Sequence, residues 1–183
     1  MARRTIILID GENLLCRFEE MKREGQNPQS AVRHEPGRFV WISSIARVRT
    51  WDLIRISYYT TVVGDDEKQR ELECQIASLE YKFRRPSKFH DQGTVVPRVF
   101  RKPRREQKTA SVDINIAIDM LRHAYTDAMD ELFLLTGDGD YVPLMQEAMR
   151  QGKVVRAGAF SSGLHPDIAT TADDFVNLDH LFF

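Results

Sequence analysis

Residues 5–11 read TIILIDG, an apolar run that ends abruptly at Asp10 and Gly11. A second apolar run, LFLL at residues 132–135, is followed in the same way by TGDGD at residues 136–140. Neither run alternates polar and apolar residues, as a strand with one solvated face would do. Strands of a parallel sheet are covered by helices on both faces and show this continuous pattern. The two segments therefore predict buried, parallel strands in an α/β fold.

Around these runs, segments of strand length alternate with segments of helical periodicity. The predicted strands are residues 5–9, 53–63, 131–136 and 153–160. The predicted helices are residues 13–23, 38–49, 65–83, 111–125 and 141–150. Such alternation is typical of βαβ units. We therefore predict one domain over residues 1–183, a three-layer α/β/α sandwich with a central, mostly parallel sheet.

Two segments do not fit this alternation. Residues 25–36 are polar and predict a loop, and residues 86–108 contain two short apolar stretches, 94–96 and 98–100, that suggest an irregular hairpin. The basic residues in and next to the second segment are Arg84, Arg85, Lys88, Arg98, Arg101, Lys102, Arg104, Arg105 and Lys108. A basic cluster suits contact with phosphates, although charge runs are more often solvated faces. The sequence alone leaves both interpretations open.

The composition is that of an ordinary globular protein, with 183 residues and a formal net charge of −1. The two cysteines, Cys16 and Cys74, are far apart and form no pattern typical of a disulfide framework or a zinc site. No stretch approaches the ~20 apolar residues that cross a bilayer, and no Asn-x-Ser/Thr site occurs. We therefore expect a cytoplasmic protein with no membrane contact.

Four aspartates are expected at one edge of the predicted sheet. Asp10 ends the first strand, Asp138 and Asp140 follow the later one, and Asp113 opens the helix between them. Ligands of parallel sheets bind at the carboxyl ends of the strands. Carboxylates ~4 Å apart repel by roughly 4 kcal/mol at an effective dielectric constant of 20, so they need a cation between them. Oxygen ligands without thiolates or paired imidazoles favour Mg²⁺ or Mn²⁺.

Each aspartate also has an ordinary structural explanation. Asp10-Gly11 and Asp138-Gly139 could be simple turns, and Asp140 could cap the next helix. Asp113 could interact with the dipole of its own helix. The combination favours a shared site, because turn chemistry alone gives no reason for all four to be acidic.

Three motifs resemble the NYN domain, the LabA-like branch of the PIN-like nuclease superfamily. They are IDGEN at residues 9–13, VDINIAID at residues 112–119 and LTGDGDY at residues 135–141. Leu164 and residues 172–178 are similar to the closing helix and last strand of that family. The resemblance implies a PIN-like sandwich and an acidic centre that uses Mg²⁺ or Mn²⁺ to hydrolyse RNA.

The resemblance also implies roles for individual residues. Asp10, Asp113, Asp138 and Asp140 correspond to metal-binding and catalytic aspartates, with Asn13 as a polar companion of Asp10. Thr136 corresponds to a small hydroxyl residue that could orient a carboxylate or contact a phosphate. Asp119 also matches a family position, but it lies about 120° around the helix from Asp113, which favours a supporting structural role.

One departure from the family concerns the residues before Asp113. Many relatives have Lys-Gly beginning three residues before this aspartate, whereas this chain has Ala110 and Ser111. The nearest lysine is Lys108, which either reaches the same phosphate from another position or leaves that contact missing.

We therefore expect a metal-dependent ribonuclease acting on RNA, with single-stranded RNA favoured. Arg101, Lys102, Arg104, Arg105 and Lys108 would hold the RNA backbone. The first alternative is a weakly active or inactive NYN module that binds RNA or a protein partner. The second is a phosphatase with an aspartyl nucleophile, but such enzymes usually place a second aspartate where this chain has Glu12.

Two aromatic features have more than one interpretation. Phe89 and Phe100 could stack on unpaired bases or pack against the body of the protein. The apolar residues 181–183 could close the core or form a homodimer interface.

Overall fold

The computed structural model describes residues 3–47, 52–84, 90–102 and 111–183. The strands of this part are β1 (Arg4–Asp10), β2 (Arg33–Glu35), β3 (Phe39–Trp41), β4 (Asp52–Val63), β5 (Glu80–Arg84), β6 (His90–Thr94), β7 (Val96–Lys102), β8 (Glu131–Leu135), β9 (Val154–Ala159) and β10 (Asp174–Asn177). The helices are α1 (Gly11–Arg23), α2 (Asp66–Ala77), α3 (Ser111–Ala124), α4 (Val142–Arg150), α5 (Pro166–Thr171) and α6 (Asp179–Phe182). Short 3₁₀ turns occupy Ser43–Arg47 and Gly139–Tyr141.

The main sheet has six parallel strands in the order β10-β9-β8-β1-β4-β7. The chain proceeds from β1 outward to β4 and β7, and then crosses to the other side for β8, β9 and β10. The strand order therefore reverses between β1 and β8. This is the topological switch point, where α/β sheets bind their ligands.

Helices cover both faces of the sheet and create two hydrophobic cores. Ile7 and Ile9 of β1 belong to the core under α1 and α2, whereas Ile6 and Leu8 belong to the core under α3, α4 and α5. Both faces of β1 are thus buried, which explains its continuous apolar sequence. The predicted α/β sandwich with a mostly parallel central sheet is confirmed.

The predicted helix at residues 38–49 is wrong in the part that the structure describes. Phe39–Trp41 form β3, which pairs with β2 in an antiparallel ribbon, and a 3₁₀ turn follows. Val40, Trp41 and Ile42 are consecutive and fully buried, so no face of this segment is left for solvent. The predicted loop at residues 25–36 accordingly contains a short strand, β2.

The predicted helix at residues 65–83 ends too late, and the predicted hairpin at residues 86–108 has the wrong partners. Helix α2 ends at Ala77, and β5 then forms a hairpin with β6. Residues 96–102 form β7, which pairs in parallel with β4 at the edge of the main sheet. Part of the supposed excursion therefore belongs to the central sheet. Residues 85–89 and 103–110 lie outside the described part.

The C-terminal residues pack inside the molecule. Phe182 is fully buried, and its ring lies 6.0 Å from that of Phe18 on α1 and 5.0 Å from that of Phe160. Phe183 stacks on Phe18 at 5.1 Å, and the backbone amide of Gln29 donates to the carbonyl of Phe182 at 2.8 Å. These contacts account for the apolar end of the sequence within one chain, and the homodimer interface stays a prediction.

Within the described ranges, no helix combines the length and the apolar character that a membrane span requires.

Candidate functional site

Asp10 lies at the carboxyl end of β1, at the switch point of the sheet, and is 4% exposed. Its carboxylate accepts a hydrogen bond from the backbone N–H of Asn13 at 3.0 Å, which caps helix α1. It also accepts one from the hydroxyl of Thr136 at 3.0 Å. Burial raises the pKa of Asp10 to about 7, and the charges of Asp113 and Glu12 act in the same direction against the two hydrogen bonds. The folded protein thus holds this carboxyl where ionisation is unfavourable.

The loop after β8 is fastened to β1 and α1 by polar contacts. Asn13 accepts a hydrogen bond from the backbone N–H of Gly137 at 3.0 Å through its side-chain oxygen. The hydroxyl of Thr136 accepts one from the N–H of Asp138 at 3.2 Å. Asn13 and Thr136 therefore position the loop that carries Asp138.

Asp138 and Asp140 occupy the first turn after this loop. The carboxylate of Asp138 accepts from the backbone N–H of Asp140 at 3.0 Å and so caps the short 3₁₀ turn. Both side chains are exposed. The carboxylate of Asp140 makes no hydrogen bond or ion pair with any other residue that the structure describes.

Tyr141 connects the aspartates of the two sides of the site. Its ring is buried, and its hydroxyl donates to the carboxylate of Asp113 at 2.9 Å. The pKa of Tyr141 is raised by burial and then by the charges of Asp10, Asp113 and Asp138. Three of the four predicted aspartates therefore act electrostatically on one phenol. The sequence analysis assigned no role to Tyr141, although this residue closes the LTGDGDY motif.

Asp119 lies outside this group. It accepts from the hydroxyl of Tyr59 at 2.8 Å and forms ion pairs with Arg98 at 3.6 Å and Arg122 at 3.2 Å. These contacts fit the supporting structural role expected for Asp119.

The site contains oxygen ligands of the kind that bind Mg²⁺ or Mn²⁺, but its described residues do not form a complete coordination shell. Among the residues described, no three Asp, Glu, His or Cys side chains lie close enough together to hold one ion. Mg²⁺ typically binds through one or two carboxylates and completes its shell with waters and substrate phosphates. In the same part of the chain, no lysine or arginine pairs with Asp10, Asp113 or Asp138. The described residues therefore give the carboxylates at this edge no cationic partner, and the oxygen donors fit a divalent cation.

The two described members of the predicted RNA-binding cluster both form ion pairs. Arg101 pairs with Asp66 at 2.5 Å, and Lys102 pairs with Glu12 at 2.7 Å. Arg104, Arg105 and Lys108 lie outside the described residues, as does Phe89. Phe100 packs against the core under α3, which favours the packing interpretation over base stacking.

Glu12 is a second residue that the sequence analysis did not assign to the site. Its carboxylate accepts hydrogen bonds from Lys102 and from the hydroxyl of Thr61, and its charge helps to raise the pKa of Asp10. The position of Glu12 two residues after Asp10 could have indicated that it lies near the site. The sequence cannot show, however, that β7 places Lys102 next to Glu12.

Comparison with known proteins identifies the family. The model of the NYN domain matches residues 4–179, nearly the whole chain. The chain belongs to the NYN domain family. This NYN domain is thus a member of the PIN-like nuclease superfamily, a group of nuclease-type hydrolases. Its assignment to the LabA-like branch stays a prediction.

One solved structure resembles this NYN domain along almost its full length. It is a protein of unknown function from Vibrio parahaemolyticus, with 20% sequence identity and a TM-score of 0.67. The match covers 99% of this chain and 96% of the Vibrio protein. At this identity the likeness supports the fold only. A comparison with curated proteins gave no match.

Proposed function

We propose that this NYN domain is a Mg²⁺- or Mn²⁺-dependent ribonuclease of the LabA-like type that cleaves single-stranded RNA. The observation that supports the proposal is a set of hydrogen bonds at the switch point: Thr136 links Asp10 to the loop of Asp138, and Tyr141 donates to Asp113. Family membership makes phosphodiester hydrolysis the chemistry to expect there.

One or two of Asp10, Asp113, Asp138 and Asp140 would hold the ion, and waters and a substrate phosphate would complete its shell. Two hydrogen bonds fix the carboxylate of Asp10, and Tyr141 orients that of Asp113. A bound ion would activate water and stabilise negative charge on the phosphate. The buried wall formed by Asp10 and Tyr141 would exclude bulk water from one side of the reacting phosphate.

A catalytically weak regulatory module is the second candidate. Two observations favour it: no three ligands converge among the described residues, and Ala110-Ser111 replaces the Lys-Gly of many relatives. Such a module would bind RNA without cleaving it at a useful rate.

An assay with labelled single-stranded RNA separates the two candidates. The parent should cleave with Mn²⁺ and not with EDTA, and Asp138→Asn should lower the rate by at least ~10–100-fold, a loss typical even of groups that only orient metal ligands. Asparagine can still cap the 3₁₀ turn, so this variant should fold. The matched control is Asp127→Asn, an exposed residue before β8 at the opposite edge of the sheet.

Thermal melting gives a readout that does not depend on turnover. Mn²⁺ should raise the Tm of the parent and of Asp127→Asn more than that of Asp138→Asn, because a ligand stabilises the state that binds it. Retention of intact RNA by a parent that never cleaves would favour the regulatory module. Cleavage that is insensitive to both EDTA and Asp138→Asn would contradict the proposed site.

A further inference from the structure

A cleft of about 620 Å³ opens next to the acidic centre, on the side of β4 and β7. Its volume is within the range of ~300–1,000 Å³ that small-molecule sites occupy. Val62 and Val63 of β4 contribute apolar surface, whereas Leu15 of α1 and Leu72 of α2 line the cleft but are almost fully buried. Thr60 and Thr61 contribute polar groups from the carboxyl end of β4.

The charged side chains around the cleft are mostly basic. Four cations line it, and two carboxylates oppose them; these residues are Arg23, Arg38, Lys68, Lys102, Glu12 and Glu19. Arg38 pairs with Glu71, outside the lining, at 2.7 Å, and Lys102 pairs with Glu12 at 2.7 Å.

Arg23 and Lys68 are the cations that remain available for a ligand. Neither forms an ion pair with any residue that the structure describes. Within the described part of the chain, the guanidinium of Arg23 donates to the backbone carbonyl of Glu19 alone, at 3.3 Å. The side chain of Lys68 lies against Gly64, where an added methyl group would meet its Cδ at 2.5 Å. The two cations come from different helices, α1 and α2, and face the same space.

Glu12 and Lys102 form the border between the cleft and the acidic centre. Glu12 lies in the first turn of α1, two residues after Asp10, and binds Lys102 and Thr61. A strand that runs from Asp10 toward β7 would have its next residue on the cleft side of this pair. A phosphate that enters the cleft would meet the positive charges of Arg23 and Lys68, whereas a phosphate at Asp10 would need the divalent metal ion.

We propose that the cleft binds one phosphate-bearing nucleotide of the RNA strand, next to the phosphodiester that reaches the acidic centre. This inference rests on the proposed function and names the part of the substrate that the neighbouring surface holds. Arg23 and Lys68 contact the phosphate, and Val62 and Val63 contact the ribose and base.

The lining also determines how selective this contact is. No aromatic side chain is among the lining residues that the structure describes, so the base has no ring on which to stack. Contacts to phosphate position a strand without reading its sequence. The cleft therefore accepts any of the four bases, and the affinity depends on salt.

The test measures RNA binding without turnover. The probe is a 12-nucleotide oligouridine with a 3′ fluorescein, and its Kd for the full chain is measured by fluorescence anisotropy in EDTA at several salt concentrations. Arg23→Gln/Lys68→Gln should raise the Kd about tenfold. The slope of log Kd against log[salt] should fall by about 0.7, the contribution of one phosphate contact on a single strand.

The matched control is Lys22→Gln/Arg70→Gln. These residues are exposed on the same two helices and do not line the cleft, and the charge change is identical. The control should leave the Kd within twofold of the parent. A competition arm uses uridine 5′-monophosphate and uridine: the monophosphate should displace the probe and uridine should not. Both competitors should act equally weakly on Arg23→Gln/Lys68→Gln.

Equal losses in the two double variants, or no measurable binding by the parent, would overturn the inference. If uridine 5′-monophosphate displaces the probe but neither double variant changes the Kd for the oligouridine, the site binds free nucleotides, and the inference is also overturned. Cleavage with Mn²⁺ is measured separately. If the parent cleaves RNA but Arg23→Gln/Lys68→Gln binds it as tightly as the parent does, the cleft inference fails and the ribonuclease proposal stands. If this variant loses binding selectively but the parent does not cleave, the ribonuclease proposal fails and the cleft inference stands.

Discussion

Asp10 combines two structural contacts with a position at the centre of the candidate site. It caps α1 and accepts from Thr136, and both contacts use a carboxylate that is almost completely buried. Burial of an ionised carboxylate is costly unless a cation lies beside it. The metal-free protein should therefore tolerate the loss of this charge.

Asp10→Asn should have a pH-dependent effect on stability. The pKa of Asp10 is about 7 in the folded protein, above its ordinary value of 3.8. Between these pH values the folded state holds a proton that the unfolded state has lost, so the metal-free parent loses stability as pH rises, by up to about 4 kcal/mol. In EDTA, Asp10→Asn should raise the Tm at pH 8 and have little effect at pH 4.5. A Tm difference that is the same at both pH values would contradict this, and Asp127→Asn is the control.

Tyr141→Phe should weaken metal binding more than folding. The hydroxyl that is removed donates to Asp113 and fixes its orientation. We expect a stability loss of about 1 kcal/mol and a several-fold higher Mn²⁺ concentration for half-maximal thermal stabilisation. Tyr125→Phe is a matched control, because that hydroxyl donates to Glu147 at an exposed site. Equal Mn²⁺ midpoints in the two variants would argue against a positioning role.

At the level of elements, the start of α1 is packed tightly against β4. A methyl group at position 11 would lie 2.7 Å from the carbonyl oxygen of Tyr59 and would overlap the ring of Tyr58. Both tyrosines are fully buried. Gly11 therefore allows the helix that Asp10 caps to approach the sheet.

Gly11→Ala should destabilise the protein by about 1–3 kcal/mol, as other overpacked cores are. The reason is that the Tyr59 contact is with backbone, which cannot move aside like the end of a flexible side chain. Urea denaturation measures the change, with Lys22→Ala on the exposed face of α1 as the control. A midpoint equal to that of the control would show that α1 can shift away from the sheet.

The sequence predicted the elements whose apolar pattern agrees with their final surroundings. The runs at β1 and β8 are buried on both faces. The length of α3 was predicted as well, but its buried residues are Val112, Ile116 and Met120, whereas the apolar Ile114 and Ile118 are exposed. Residues 39–42 were misread because a short buried strand and one side of a helix have the same apolar content. Asp10, Asp138 and Asp140 were proposed from strand ends and Asp113 from the start of a helix, whereas the contacts of Glu12 and Tyr141 depend on partners from distant elements.

At the scale of the molecule, the described residues form two cores, and the core under α1 includes residues from both ends of the sequence. Phe18, Phe160 and Phe182 meet there, with all three side chains almost fully buried. Aromatic contacts of this kind add to the stabilisation that burial of apolar area provides.

Phe182→Ala should destabilise the fold by about 3–5 kcal/mol, because it leaves a cavity among aromatic rings. His180→Ala is a suitable control, since His180 is exposed and only its backbone carbonyl binds Gln29. Urea denaturation of both variants provides the measurement. If Phe182→Ala costs no more than the control, the C-terminal helix does not contribute to the core in solution.

The hydrogen bond between Asp10 and Thr136 joins residues 126 positions apart. Closing so long a segment of chain is slow, because its entropy is lost before the contact is gained. After dilution from urea, helices should form within the first kinetic phase, while recovery of Mn²⁺-dependent stabilisation should follow the slowest one. Stabilisation by Mn²⁺ would then mark the completion of folding, because the segments that carry Asp10 and Thr136 would come together only in the last step.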